Sequence, residues 1–197
     1  MKEVTQRSRL KAERRLQLVG AASRLFAERG FRAVSMEDLA AEADVSGPAV
    51  YRHFASKEAL LADLLIDVSG QLLERGRRCA TNASPLEALM SLIAFHTDFA
   101  LRDRDLIRIQ DHDFANLALD DARTVSRLQR EYLAIWVDVL RRIDPALSES
   151  VARTKIQAVF GLLNSTPHSA SHRDTEATRV ILETMAIDAL GSALTLR

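Results

Sequence analysis

Apolar residues recur three or four positions apart along nearly the whole chain, which is the spacing of amphipathic α-helices. A clear example is the stripe Leu60, Leu61, Leu64, Leu65, Val68 and Leu72. No alternating strand pattern of useful length and no internal repeat is found. With 47% hydrophobic residues among 197, the chain has enough apolar side chains for a sizeable core. The pattern predicts an all-α protein of about nine helices.

The longer helices are predicted at residues 12–29, 56–77, 86–101, 121–143, 148–164 and 175–194, and the shorter ones at 35–43, 47–54 and 106–114. Residues 1–11 lack an apolar face, so we expect a disordered basic arm. Pro167 suggests a loop after the eighth helix, because proline removes a backbone donor.

The stretch from Ser35 to Lys57 has the pattern of two short helices joined by a tight turn. Ser35 is a good N-cap, and Ser46 is placed to cap the second helix, where Pro48 is tolerated in the first turn. The second helix is too short to be stable alone, so neighbouring elements must hold it. This arrangement predicts a helix-turn-helix, although on the pattern alone an ordinary helical hairpin is equally plausible.

Four sequence words decide between these interpretations: LFAERGF, SMEDLAAEADVS, VYRHF and SKEALL. In this order and spacing they resemble the DNA-binding domain of the TetR family of bacterial transcriptional regulators. The resemblance extends from about Arg14 to Leu65. Asp44 stands where the family usually has glycine, and aspartate is among the residues that tolerate a left-handed backbone, so the turn is expected to survive.

The resemblance implies that double-stranded operator DNA is the partner. Residues expected to face the groove are Gly47, Pro48, Tyr51, Arg52 and His53, and those expected at phosphates are Ser35, Tyr51 and Lys57. It also implies a DNA-binding domain at residues 1–55 and a ligand-binding and dimerisation domain at residues 56–197.

Charge is distributed unevenly along a chain whose formal net charge is zero. Residues 1–32 contain nine Lys and Arg against three Asp and Glu, whereas residues 61–197 have sixteen against nineteen. The positive excess lies at the end that holds the helix-turn-helix, as a phosphate-facing surface requires. A solvated basic tail would give the same count, so the charge supports the motif without establishing it.

Aromatic residues on inward stripes of the middle helices, with polar residues among them, are typical of a small-molecule pocket. For any single aromatic, plain core is the more common explanation. The resemblance favours the pocket, because family members hold an inducer within these helices. The word VFGLLNSTPHS resembles regulators linked to acyl-CoA metabolism and inclines the choice weakly towards an acyl or acyl-CoA-type effector. The predicted lining is Phe95, His96, Phe99, His112, Phe114, Tyr132, Trp136, Phe160 and Asn164.

The last helix is apolar on nearly all sides, whereas a surface helix of a monomer shows a single apolar stripe. One side is therefore available for a second subunit. In the resembled family the last two helices pair with their copies as a four-helix bundle. We expect a homodimer with Val180, Ile181, Met185, Ile187 and Leu194 at its interface.

Motifs for catalysis are not found: there is no Gly-rich phosphate loop, G-x-S-x-G or H-E-x-x-H. Histidines 96, 112, 168 and 172, with Asp111 and Asp113, are a minor alternative as a metal site, but no metal or cofactor is expected. The single cysteine excludes an intrachain disulfide and suits the cytoplasm. No bilayer-spanning run is present, so no membrane association is expected.

We therefore expect a ligand-responsive, dimeric transcriptional regulator and not an enzyme. A repressor is favoured over an activator. The alternative is an all-α small-molecule binding or enzymatic protein whose helix-turn-helix is only structural.

Overall fold

A computed structural model describes residues 6–169 and 175–191, which form ten α-helices, two 3₁₀ turns and no β-strand. Nine of these helices have five residues or more, so the predicted all-α class is confirmed. The α-helices are α1 Gln6–Arg29, α2 Met36–Glu42, α3 Gly47–Tyr51, α4 Lys57–Ala80, α5 Pro85–Arg102, α6 Arg104–Asp113, α7 Leu119–Ile143, α8 Glu149–Leu163, α9 Thr166–Ser169 and α10 Thr175–Leu190. The 3₁₀ turns are Phe31–Ala33 and Phe114–Asn116.

Two predicted segments differ from the structure. The expected disordered arm is wrong for residues 6–11, which are the first turns of α1. No Gly or Pro interrupts this segment, and Arg, Leu and Lys favour helix, so it extends the amphipathic part. Pro167 lies within the short α9 because a first-turn proline loses no helical hydrogen bond. Residues 1–5 lie outside the described part.

Local signals fix most helix ends. Ser84 and Glu87 form a capping box at the start of α5, and the Ser148 hydroxyl accepts the N–H of Val151 at the start of α8. Gly30, with φ of 78°, ends α1 in a backbone conformation that other residues rarely adopt.

Contacts divide the chain into two compact units. The first holds residues 6–67 together with 108–123, and the second holds residues 68–107 and 124–191. The first turns of α4, with Leu60, Leu61 and Leu65 fully buried, therefore belong to the first unit. The functional division between residues 55 and 56 stays a prediction.

The core of the first unit is built from the inward stripe of α1 and the helices that follow it. Leu18, Ala22 and Leu25 are buried, and the rings of Phe26 and Phe31 meet edge to face at 5.3 Å. Asp113, at the end of α6, is buried and accepts the backbone N–H of Phe31 at 3.4 Å. Residues near the end of α6 are thus part of the unit that contains the helix-turn-helix.

The second unit is centred on a hydrophobic core to which α5, α7, α8 and α10 all contribute. Its fully buried side chains include Leu89, Leu92, Trp136, Leu140 and Ile156. The last helix, α10, packs against both α5 and α8. Arg179 of α10 donates to Asp98 of α5 at 2.6 Å, which adds a charged contact to the apolar one.

Gly76 is the tightest point between α4 and α7. A Cβ at this position would lie 2.6 Å from Cε2 and 2.8 Å from Cδ2 of Tyr132. Gly76→Ala should therefore lower the free energy of unfolding by about 1–3 kcal/mol, since overpacking a core is costly. Urea unfolding measures this.

Gly70→Ala is the matched control in the same helix, because nothing lies within 4 Å of its added Cβ. It should leave stability unchanged or raise it by about 0.5–1 kcal/mol. Equal destabilisation by both variants would contradict a specific contact with Tyr132.

Candidate nucleic-acid interface and ligand site

The helix-turn-helix forms at the predicted residues. Ser35 and Asp38 form a capping box at the start of α2, with the Asp38 N–H 3.0 Å from the Ser35 hydroxyl oxygen. In the turn, Asp44 takes φ of 50°, the left-handed conformation expected for it. Ser46 is the N-cap residue of α3, although its side chain makes no capping hydrogen bond. Helix α3 is only five residues long and ends at Tyr51.

The predicted groove-facing residues surround this short helix. Pro48 and Arg52 are exposed, the Tyr51 side chain is 52% exposed, and Gly47 and His53 are half-buried. Arg52 has no hydrogen-bond or ion-pair partner among the described residues, so its guanidinium is available to a ligand. Gly47, Pro48 and Tyr51 belong to α3, and Arg52 and His53 follow it directly.

Positive charge surrounds the end of α3. The pKa of His53 lies below its ordinary value, first because of burial and then because of Lys11, Arg15, Arg52 and Arg14. Four cations acting on one imidazole make this a cationic surface. Such a surface attracts phosphate.

Two side chains predicted at phosphates already have partners within the first unit. The Ser35 hydroxyl donates to the Asp38 carboxylate at 2.7 Å. The Lys57 ammonium donates to the carbonyls of Phe31 at 2.8 Å and Val34 at 2.7 Å, and it lies 4.4 Å from the centre of the Phe31 ring. A phosphate role for Lys57 stays a prediction, and any such role comes in addition to holding the turn after α1.

Arg15 is a stabilising residue that the sequence did not single out. Its guanidinium pairs with Asp63 of α4, donates to the His53 carbonyl at 3.3 Å and lies 4.4 Å from the centre of the Phe54 ring. It therefore connects α1, the end of α3 and the start of α4. A basic residue in a charged stretch gives no sequence signal for this role.

The nine predicted pocket residues fall into different units. His112 is exposed and Phe114 is half-buried in the first unit. The remaining seven belong to the second unit: Phe95, His96, Phe99, Tyr132, Trp136, Phe160 and Asn164. Phe95 is half-buried, with the Arg75 guanidinium 5.9 Å from its ring centre.

His96 is the centre of an aromatic cluster in the second unit. The His96 ring stacks on Phe160 at 4.8 Å and lies 5.8 Å from Tyr132, 5.8 Å from Phe99 and 5.9 Å from Trp136. We call these five residues, with Asn164, the His96 cluster. Helices α5, α7 and α8 each contribute to it.

Both ring nitrogens of His96 have hydrogen-bond partners. Nδ1 lies 3.2 Å from the Tyr132 hydroxyl, and Nε2 lies 3.1 Å from Oδ1 of Asn164. Burial lowers the pKa of His96 to about 4, and it raises the pKa of Tyr132. Both side chains are therefore uncharged at neutral pH.

An exposed apolar face lies on α10. Val180, Ile181 and Met185 are 56%, 57% and 48% exposed. Ile187, by contrast, is half-buried against the core, and Leu194 lies outside the described residues. Among the exposed positions of α8, Glu149 in the first turn is charged, and the others are uncharged: Ser150, Val151, Thr154, Gln157, Ala158 and Gly161.

Comparison with known proteins identifies the family. Residues 18–64 match the family model for bacterial regulatory proteins of the tetR family, which covers the helix-turn-helix and its flanks. The chain belongs to the tetR family.

Relatives of known name extend this similarity beyond the first unit. The chain is 31% identical over 132 residues to the HTH-type transcriptional repressor KstR2 of Mycolicibacterium smegmatis, covering 66% of this chain and 64% of that protein. The alignment thus spans just under two thirds of that relative's length.

Two solved structures of this family have the same fold. The ketosteroid transcriptional regulator KstR2 of Mycobacterium tuberculosis has a TM-score of 0.73 and 26% identity, covering 91% of this chain and 94% of that one. The regulator FadR of Bacillus subtilis, solved with stearoyl-CoA, has a TM-score of 0.72 and 22% identity, covering 90% and 98%.

The described part of this tetR-family chain shows neither a metal cluster nor a membrane-spanning helix. No group of three or more His, Cys, Asp or Glu there could hold a metal ion. No helix there is long and apolar enough to cross a membrane.

The buried neutral histidine predicts a pH dependence of stability. From pH 6.5 down to about 4 the unfolded chain protonates residue 96 while the folded chain does not, so acidification favours unfolding. The loss amounts to about 3 kcal/mol in total. Urea unfolding at pH 7, 6, 5 and 4.5 measures it.

His96→Gln is the reference variant, because glutamine cannot titrate. Wild type should be the more stable at pH 7, and its advantage should shrink steadily towards pH 4.5. A constant difference between the two proteins would show that His96 is protonated in the folded state or that its pKa is not lowered.

Proposed function

We propose that this protein is a DNA-binding transcriptional regulator that responds to a small molecule. The observation that carries the proposal is the geometry of α3: a short helix with exposed Tyr51 and Arg52 in a cationic surrounding. A helix of this kind fits the DNA major groove. A repressor is favoured, since the KstR2 relative is a transcriptional repressor, and the cytoplasm is the expected compartment.

Arg52 is proposed as the main base-reading residue. Its guanidinium is exposed and has no partner in the described part of the chain, and arginine can bond O6 and N7 of guanine together. Gly47, Pro48, Tyr51 and His53 are proposed to complete the contact surface. Lys57 and Ser35 are proposed to lie near phosphates.

A homodimer is proposed to present two reading helices. The exposed apolar side chains of α10 and the uncharged exposed positions of α8 that follow Glu149 would be buried against a second copy. A two-fold dimer then fits a palindrome whose half-sites lie about 34–36 Å apart or somewhat more.

The second unit is proposed to hold the effector, with the His96 cluster as its binding site. A partly apolar molecule is expected, and FadR with stearoyl-CoA supports an acyl-CoA-type effector as one candidate. Of the nine residues predicted from sequence, His112 and Phe114 belong to the first unit and are not part of the His96 cluster.

Helix α4 is proposed to carry the signal. At one end, Lys57 bonds to the carbonyls of Phe31 and Val34, and towards the other end Gly76 lies against Tyr132 of the His96 cluster. An effector that shifts Tyr132 therefore acts on the helix that begins in the DNA-binding unit. The effector releases DNA only to the extent that it binds the conformation unable to bind DNA more tightly than the DNA-binding conformation.

An enzyme or simple binding protein is the alternative, with the helix-turn-helix as a fold element only. DNA binding separates the two, because such a protein would not distinguish the DNA upstream of its own gene from a scrambled duplex.

Arg52→Ala should weaken binding to the operator by about 1–3 kcal/mol and relax preference at one base pair, because a bidentate base contact is lost. Fluorescence anisotropy with upstream and scrambled duplexes measures it. Arg78→Ala, which removes an exposed cation of the second unit paired with Glu74, is the charge control and should change neither affinity. An equal loss on both duplexes would make Arg52 a phosphate contact.

Ile181→Glu should abolish the dimer at micromolar concentration, because burying an unpaired carboxylate is costly. Sedimentation measures assembly, and operator binding should be lost with it. Leu119→Glu introduces the same charge at another exposed apolar position, 66% exposed, and should leave the dimer intact. A stable dimer of a folded Ile181→Glu protein would exclude this face as the interface.

A further inference from the structure

The His96 cluster contains no charged group that could neutralise a buried ion. The ring contacts and hydrogen bonds of His96 in the described part of the chain involve four aromatic residues and the amide of Asn164. His96 itself is uncharged because burial lowers its pKa to about 4. An ionised carboxylate placed here would lose its hydration without gaining a cation.

The hydrogen atoms in the cluster can be assigned from its donors and acceptors. Oδ1 of Asn164 can only accept, so Nε2 of His96 is the protonated nitrogen. Nδ1 is then the acceptor, and the Tyr132 hydroxyl donates to it. The protons of His96 and Tyr132 are therefore both used inside the cluster.

One buried donor remains. Trp136 is completely buried, and its Nε1–H has no hydrogen-bond partner in the described part of the chain. The indole lies close enough to the Tyr132 oxygen to oppose the rise in the Tyr132 pKa, but it does not reach hydrogen-bond geometry. A buried N–H without an acceptor is destabilising, so an acceptor supplied by a ligand would relieve that cost.

We propose that the His96 cluster binds an uncharged, apolar group whose carbonyl oxygen accepts the Trp136 Nε1–H, either as a whole ligand or as the acyl part of a larger one, and that it excludes the corresponding free carboxylate. This rests on the proposed effector-binding function of the second unit and narrows its ligand class. A carbonyl satisfies the indole donor and brings no proton that needs an acceptor of its own. A thioester and a ketone share this chemistry. Phe99, Phe160 and Asn164 are only partly buried and would form the outer rim.

Three matched probes measure how much the carbonyl oxygen contributes to binding. In 2-tridecanone the carbonyl carries a methyl group; dodecanoate has O⁻ in place of that methyl, and 2-methyl-1-tridecene has CH₂ in place of the oxygen. The chain has one tryptophan, so quenching of its emission reports binding at Trp136. We expect the ketone to bind the full-length protein at least about tenfold more tightly than dodecanoate and about five- to tenfold more tightly than the alkene.

Trp136→Phe removes the N–H but keeps an aromatic ring. In this variant, measured by calorimetry, the advantage of the ketone over the alkene should fall to about one. Tyr132→Phe is the matched control, because it alters the same cluster yet keeps the indole donor and should keep the advantage. The readout is a ratio within one protein, so a modest loss of stability in either variant does not affect it.

An unchanged ketone advantage in Trp136→Phe overturns the proposal, and so does dodecanoate binding as tightly as the ketone. Two further probes, dodecanoyl-CoA and an uncharged diketosteroid, distinguish an acyl thioester from a steroid ketone as the molecule that carries the carbonyl. If binding of either probe depends on Trp136, the proposal is supported and the ligand class is identified. If 2-tridecanone, dodecanoyl-CoA and the diketosteroid all fail to bind, the proposal is overturned.

Operator binding, measured separately, keeps this inference distinct from the proposed function. A ketone that binds selectively but leaves DNA affinity unchanged would support the site and contradict regulation through it. A compound that releases DNA without affecting Trp136 emission would support regulation and place the effector elsewhere.

Discussion

A five-residue helix has no independent stability in water, and α3, the proposed DNA-reading helix, is such a helix. It is held by neighbours: its own residue Val50 is fully buried, and Arg15 joins the segment after α3 to α1 and α4. Lys57 joins α4 to the turn after α1 in the same way. Exposed side chains on α3 can face DNA only because these buried contacts fix the backbone.

In the second unit the corresponding constraint is the burial of polar groups in an apolar core. His96 is buried among aromatic rings, which is tolerable because it is neutral and both nitrogens are bonded. Tyr132 joins this network while its ring occupies the space left by the missing side chain of Gly76. The same tyrosine therefore belongs to the polar network and to the packing of α4.

Sequence reasoning succeeded where the signal is local. Ser35 and Asp44 act within a turn or two of themselves, and they take the predicted cap and left-handed conformation. It failed at residues 6–11, where the absence of an apolar face suggested disorder but helix propensity prevails. Of the nine residues predicted for a pocket, seven belong to the second unit and His112 and Phe114 belong to the first, because inward periodicity does not say which core a helix enters.

The sequence by itself determined the helices, the helix-turn-helix and the family, because capping, periodicity and short words depend on residues close together in the chain. Only the tertiary structure decided that Lys57 bonds to backbone carbonyls, that residues 108–123 join the unit that contains the helix-turn-helix and that Trp136 keeps an unpaired donor beside His96. Those facts depend on pairs of groups distant in the chain. Their geometry follows from how helices pack, which local patterns do not encode.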